Sequence, residues 1–129
     1  MYRHIIKDMV MTPFEIRLYQ KANGDCPVEE FISSLPKKEQ AKLLRDIDLL
    51  SELGSRAREP LVKAIKGEKN LYELRSIFSN NAQRIFYFTY DGPQFVLLNG
   101  FSKKTQKTPT GEIKKAKEYK EDHLRRFSK

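Results

Sequence analysis

Two arginines and two lysines fall in or beside a run of strand-forming residues. Arg75 lies within LYELRSIF, Arg84 opens RIFYFTY, and Lys103 and Lys104 follow QFVLLNGF. Glu73 is two residues from Arg75 and so shares its face of a strand. Such a set suits metal-free cleavage of RNA, in which the ribose 2′-hydroxyl attacks the neighbouring phosphate and charge builds on the phosphoryl oxygens. That reaction needs a base, an acid and fixed cations around the phosphate. Arginine fits the last role because it is always charged and can hold two oxygens at once. The candidate catalytic residues are therefore Arg75, Arg84, Lys103, Lys104 and Glu73. Lys63, Lys66 and Lys107 are candidate RNA contacts, as is Tyr87, whose position suits either the core or a base-stacking surface. Glu73 has two readings, proton transfer or a salt bridge that holds Arg75 or Arg84 in place. The arginines likewise suit phosphate binding or the tying down of a sheet edge.

The elements that must position these residues are legible from periodicity. Tyr72, Leu74 and Phe78 alternate with Leu71, Glu73, Arg75 and Ile77, the pattern of a half-buried strand. Arg84 to Tyr90 and Gln94 to Phe101 are dense in aromatic and branched residues and are separated by Asp-Gly-Pro, a turn signal. Three antiparallel strands in a meander follow. With Asn80-Asn81 as a two-residue loop, Arg84 stands opposite Ile77 and on the face of Arg75. Pro13 to Gln20 alternates as an earlier strand. Pro27 opens a short helix with Val28, Phe31, Ile32 and Leu35 on one face, Cys26 being a small, half-buried residue before it. A second helix carries Leu43, Ile47, Leu50 and Leu53 and stops at Gly54. Ser55 to Asn70 reads as a connector that brings Lys63 and Lys66 near the sheet edge. Thr108 and Pro109 suit the cap and first position of a third helix, with Ile113, Ala116, Lys120, Leu124 and Phe127 inward and His123 in solvent.

This order of elements is α+β: a small antiparallel sheet against an N-terminal helical hairpin and a C-terminal helix. At 129 residues the expectation is one domain over residues 12–127, preceded by an appendage at 1–11. The mean hydropathy is -0.66, no apolar run reaches membrane-spanning length, and no secretion signal opens the chain, so the expected location is cytoplasmic. A single cysteine with His4 and His123 makes no zinc set, so neither metal nor cofactor is expected. The net charge of +8 is concentrated after residue 101, where ten Lys/Arg face four Asp/Glu. That asymmetry suits a polyanionic partner such as nucleic acid, or a solvated helix.

LYELR, RIFYF and LLNGFSKKTQKTP, in that order and spacing, resemble the RelE/HigB superfamily of toxins, in particular its HigB-like, phage-associated branch. CPVEEFISSLPKKEQAKLLRDIDLL and PTGEIKKAKEY extend the likeness over roughly residues 12 to 120. The resemblance implies a RelE-like fold and a toxin of a type II toxin–antitoxin pair, an endoribonuclease that cuts messenger RNA on the ribosome. Arg75, Arg84, Lys103 and Lys104 match the family's basic positions, whereas its tyrosine near the C-terminal helix has no counterpart from Pro109 to Ile113. The implied partners are a cognate HigA-like helix-turn-helix antitoxin, mRNA and the ribosome, with promoter DNA reached only through the antitoxin and no membrane. Two alternatives are a nuclease-dead RNA- or ribosome-binding module and a regulatory partner of a DNA-binding protein.

Overall fold

A computed structural model describes residues 14–91, 93–103 and 109–127, with Lys103 described through its backbone alone. Along the chain lie β1 (Glu15–Leu18), α1 (Pro27–Ser33), α2 (Lys37–Leu53), a 3-10 turn (Gly54–Arg56), β2 (Val62–Ala64), β3 (Tyr72–Phe78), β4 (Asn81–Tyr90), β5 (Gln94–Lys103) and α3 (Thr110–Phe127). The expected meander is there, β3, β4 and β5 pairing antiparallel in succession. The sheet as a whole, however, has five strands in the order β1-β5-β4-β3-β2 and is mixed rather than antiparallel, because β1 runs parallel to β5. Alternation says which face a residue takes, not which way its strand runs. The segment expected to be a plain connector contributes β2, three residues antiparallel to β3 at the other edge.

Side-chain alternation splits the strands between two apolar layers. Leu74, Ile85, Tyr87, Phe95 and Leu97 pack with Val28 of α1 and Leu43, Ile47 and Leu50 of α2. Leu71, Phe86, Phe88, Val96, Leu98 and Phe101 form the opposite layer with Ala116 of α3. Both layers are dry enough that Leu74, Ile85, Phe86, Val96, Leu97 and Leu98 are fully buried. At roughly 1.5–3 kcal/mol for each such side chain removed from water, these layers hold the sheet in place. Two glycines serve this packing. Gly54 ends α2 at φ 56, and a Cβ there would collide with the Phe14 ring; one on Gly100 would collide with the Phe31 ring of α1. A one-residue bulge in β5 at Leu98 shifts the register between Phe86 and Tyr87.

Two expectations for α3 are corrected. His123 is buried rather than solvated, packed edge-on to Tyr90 and Phe88 and tilted against Phe127. Phe127, expected inward, is 55% exposed. Asp122, one residue before His123, accepts from Arg126 of the same helix at 2.7 Å and from the Tyr19 hydroxyl, just past β1, at 2.6 Å. The carboxyl of Asp122 is held down to about 2 by those two partners, and burial pushes the Tyr19 hydroxyl up to about 12. Cys26 is buried at the start of α1.

Candidate functional site

The β3–β4 turn decides the geometry of the basic residues. The loop is Ser79-Asn80, Ser79 taking φ 57, so Phe78 pairs with Asn81 and Arg75 stands directly opposite Arg84. The expected register, with Arg84 facing Ile77, is corrected by one pair; Ile77 faces Ala82 instead. The two arginines nevertheless share one face, the one α3 covers. Like charges directly opposite on a sheet repel: unit charges about 5 Å apart cost about 3 kcal/mol at an effective dielectric of 20.

Glu73 relieves that repulsion. Its carboxylate, 1% exposed, lies 3.1 Å from Arg84 Nη1 and 3.4 Å from Arg75 Nε. The holding role foreseen for this residue is thus visible in its contacts with both guanidinium groups. The two cations differ in access: the side chain of Arg84 is 7% exposed, that of Arg75 16%, and among the described residues the buried Arg84 Nε has no hydrogen-bond partner. Two guanidinium charges therefore share this carboxylate. Beside them Lys63 of β2 pairs with Glu73, which places it on the same face, exposed. Toward β5, Arg84 pairs with Phe101, and the backbone of Lys103 pairs with that of Ala82. The side chain of Asn99 reaches Glu112 in the first turn of α3, so the row of Arg84 and Phe101 lies beyond the start of the helix.

Not every expected residue belongs to this face. Tyr87 is corrected to the core: it lies on the opposite face, 3% exposed, stacked 5.4 Å from Tyr72, and burial raises the pKa of its hydroxyl. No base can stack on it without opening the layer beneath α2. Lys66 is exposed in the turn after β2, where no strand pairing brings it beside the arginines. Lys104 and Lys107 lie outside the described residues, as does Thr108. Among the described residues no group of three His, Cys, Asp or Glu could hold a metal ion.

A second polar cluster was not foreseen. Behind the arginines, on the α2 face, Gln83 donates to Glu39 of the first turn of α2 and accepts from Ser102, while Asn81 donates to Glu39 at 3.4 Å. Glu39 and Gln83 are both buried. The sequence signal was Gln83 beside Arg84, with Asn81 two residues before it on the same face of the strand.

A family model for the phage derived protein Gp49-like proteins matches residues 30–121, from within α1 through most of α3. The chain belongs to that family. Gp49-like proteins are RelE/toxin-like and are associated in general terms with the toxins of toxin–antitoxin systems. The matched span includes Arg75, Arg84, Glu73 and Lys63, and leaves out β1. The match stands at the level of this wider Gp49-like group and does not single out a HigB-like branch. No curated protein matches the chain. Among the described residues no helix is long and apolar enough to cross a membrane.

Proposed function

We propose that this Gp49-like chain is the toxin of a type II toxin–antitoxin pair, of the HigB-like kind, and acts as a metal-independent endoribonuclease on messenger RNA at the ribosome. The observation that carries this reading is the cross-strand pair Arg75 and Arg84 sharing the buried carboxylate of Glu73 on a sheet face beyond the start of α3. A phosphate there meets positive charge already held in position. Such preorganised donors act where charge develops in the transition state, each worth on the order of 3 kcal/mol.

The roles divide by access. Arg75, the more open guanidinium, contacts the phosphate; Arg84 supplies charge from beneath, and Glu73 holds both. Lys63 steers the RNA backbone toward the pair, and Lys103 and Lys104 supply further cations, Lys103 serving as proton donor to the leaving oxygen. A HigA-like helix-turn-helix antitoxin neutralises the protein by covering the basic face or its approach to the ribosome. Promoter DNA is engaged only through that antitoxin, and the site of action is the cytoplasm.

The test is induced expression in a bacterial host of the wild type, Arg75→Ala and Arg75→Lys, following growth and mapping new 5′ ends on translated messages. Arg75 is preferred to Arg84 because its substitution does not empty a buried site. Growth arrest with new ends inside reading frames, both lost in Arg75→Ala, is expected. Arrest without new ends would instead favour a ribosome-binding module that does not cut. Absence of arrest from a folded, soluble wild type would sink the toxin reading.

A further inference from the structure

The outer side of β1 offers something the basic face does not. β1 is the outermost strand and, among the described residues, pairs only with β5. Its pairing uses alternate peptide groups: the amides of Glu15 and Tyr19 donate to the carbonyls of Pro93 and Leu97 at 2.8 and 2.9 Å. The peptide groups of Ile16 and Leu18 therefore point outward, each presenting an N–H and a C=O along an open edge. The edge borders a cleft of about 570 Å³ whose far wall is the end of α3, with His123, Arg126 and Phe127.

The walls of this cleft specify what would fill it. On one side of the strand Ile16 and Leu18 are only partly covered, and across the cleft Phe127 is 55% exposed. Arg17 and Lys21 supply two cations to the lining against the carboxylate of Glu15, while Arg126, also in the lining, is held by Asp122 at 2.7 Å and donates to the Gln20 carbonyl. Arg17 and Glu15 are both more than half exposed and bridge each other at 3.2 Å, a solvent-facing pair with little to lose by exchanging partners. Buried His123 also lines the cleft, its Nδ1 lacking a hydrogen-bond partner among the described residues. Burial and then the charges of Arg126 and Arg17 lower its pKa, so at neutral pH the imidazole adds no cation to those of Arg17 and Lys21.

We propose that β1 accepts an extended acidic segment of a partner protein as a sixth strand of the sheet. Strand alternation dictates the pattern of that segment: acidic residues at every second position, meeting Arg17 and Lys21, and apolar residues between them, covering Ile16 and Leu18. A single-stranded nucleic acid would satisfy the cations but not the edge. The outward N–H and C=O groups of Ile16 and Leu18 need acceptors and donors alternating at the strand repeat, which a peptide backbone supplies; ribose hydroxyls and bases carry donors, but not in that repeat. The β1 edge is separated from Arg75 by β5 and β4, so a partner held there leaves the arginine face uncovered. This docking does not depend on the ribonuclease reading.

The full chain is to be titrated with a labelled peptide of about six residues, the usual strand length, alternating Glu and Val. Its counterparts are a Lys/Val peptide of the same pattern and oligouridine. Binding is followed by fluorescence anisotropy, and exchange of the Ile16 and Leu18 amides by NMR. The Glu/Val peptide should bind, slow exchange at both amides about tenfold or more, and bind about tenfold tighter than the Lys/Val peptide. Arg17→Glu should cost about tenfold in affinity without altering the circular dichroism spectrum. Arg75→Ala should bind as the wild type does, so a failed nuclease assay leaves this result standing. No binding, equal binding of both peptides, binding that leaves the two amides unprotected, or oligouridine protecting them in the peptide's place would each overturn the proposal.

Discussion

The two faces of the sheet carry one polar cluster each, at the same end of β4, and they differ in what is left over. On the α2 face Glu39, Gln83, Asn81 and Ser102 bond to one another, and the carboxylate sits in the first turn of a helix, where the dipole favours it. On the α3 face two guanidinium groups share Glu73; among the described residues Arg84 Nε there and Ser76 Oγ, which pairs across from Gln83 on the α2 face, are both buried without a hydrogen-bond partner. The first cluster is capped by a helix; the second lies where α3 has not yet begun. A polar network without a surplus cation specifies strand pairing, whereas one with surplus positive charge keeps an attraction for an anion. Burial alone does not distinguish them, since Glu39, Gln83, Glu73 and Arg84 are all buried. The balance of charge does.

Breaking the arginine cluster at its centre should give the largest effect. Glu73→Ala leaves two cations opposed without that carboxylate and is expected to cost about 3–5 kcal/mol, read as a fall in the urea midpoint, and to abolish cleavage. Arg75→Ala should separate stability from activity: about 100-fold or more slower cleavage in a quantitative RNA assay, with a stability change of about 1 kcal/mol or less, because Arg75 lies at the cluster's more open side. Equal losses in both measurements would erase the contrast drawn between the faces. Glu39→Ala should do the reverse, costing about 1–3 kcal/mol by stranding Gln83 while the folded fraction keeps its activity. The smallest effect is one of pH. The pKa of His123 lies below 6.5, chiefly from burial, so the unfolded chain takes up the proton first as pH falls. Its contribution to stability is thus full above about 6.5 and declines as pH drops toward the folded-state value; His123→Phe should flatten that part of a melting-temperature profile.

Strand and helix identities were largely legible, because the period of two in Tyr72–Phe78 and the three- and four-residue steps through Leu43, Ile47 and Leu50 report a face to be buried. The sharing of one face by Arg75 and Arg84 was also legible, since moving the turn by one residue on both strands preserves it. That they stand directly opposite was not, because it depends on whether Ser79 or Asn81 enters the loop, a matter of a single backbone dihedral. Tyr87 and His123 were misread for a related reason. Each sits in a pattern that permits two environments, and a neighbour distant in sequence chose between them: Tyr72 stacks on Tyr87, while Phe88 and Tyr90 enclose His123.

What the chain by itself determined is therefore local: which residues alternate, which helical stripes are apolar, where the cations concentrate, and which residue types could face a phosphate. Only the tertiary structure decided that β1 lies parallel to β5 as the outermost strand, and that α3 starts beside Asn99, short of the row of Arg84 and Phe101. It alone brought Glu39 beneath Gln83. Those are contacts between segments tens of residues apart, made by closing loops around two shared cores, and no periodicity within one segment encodes where another will come to rest.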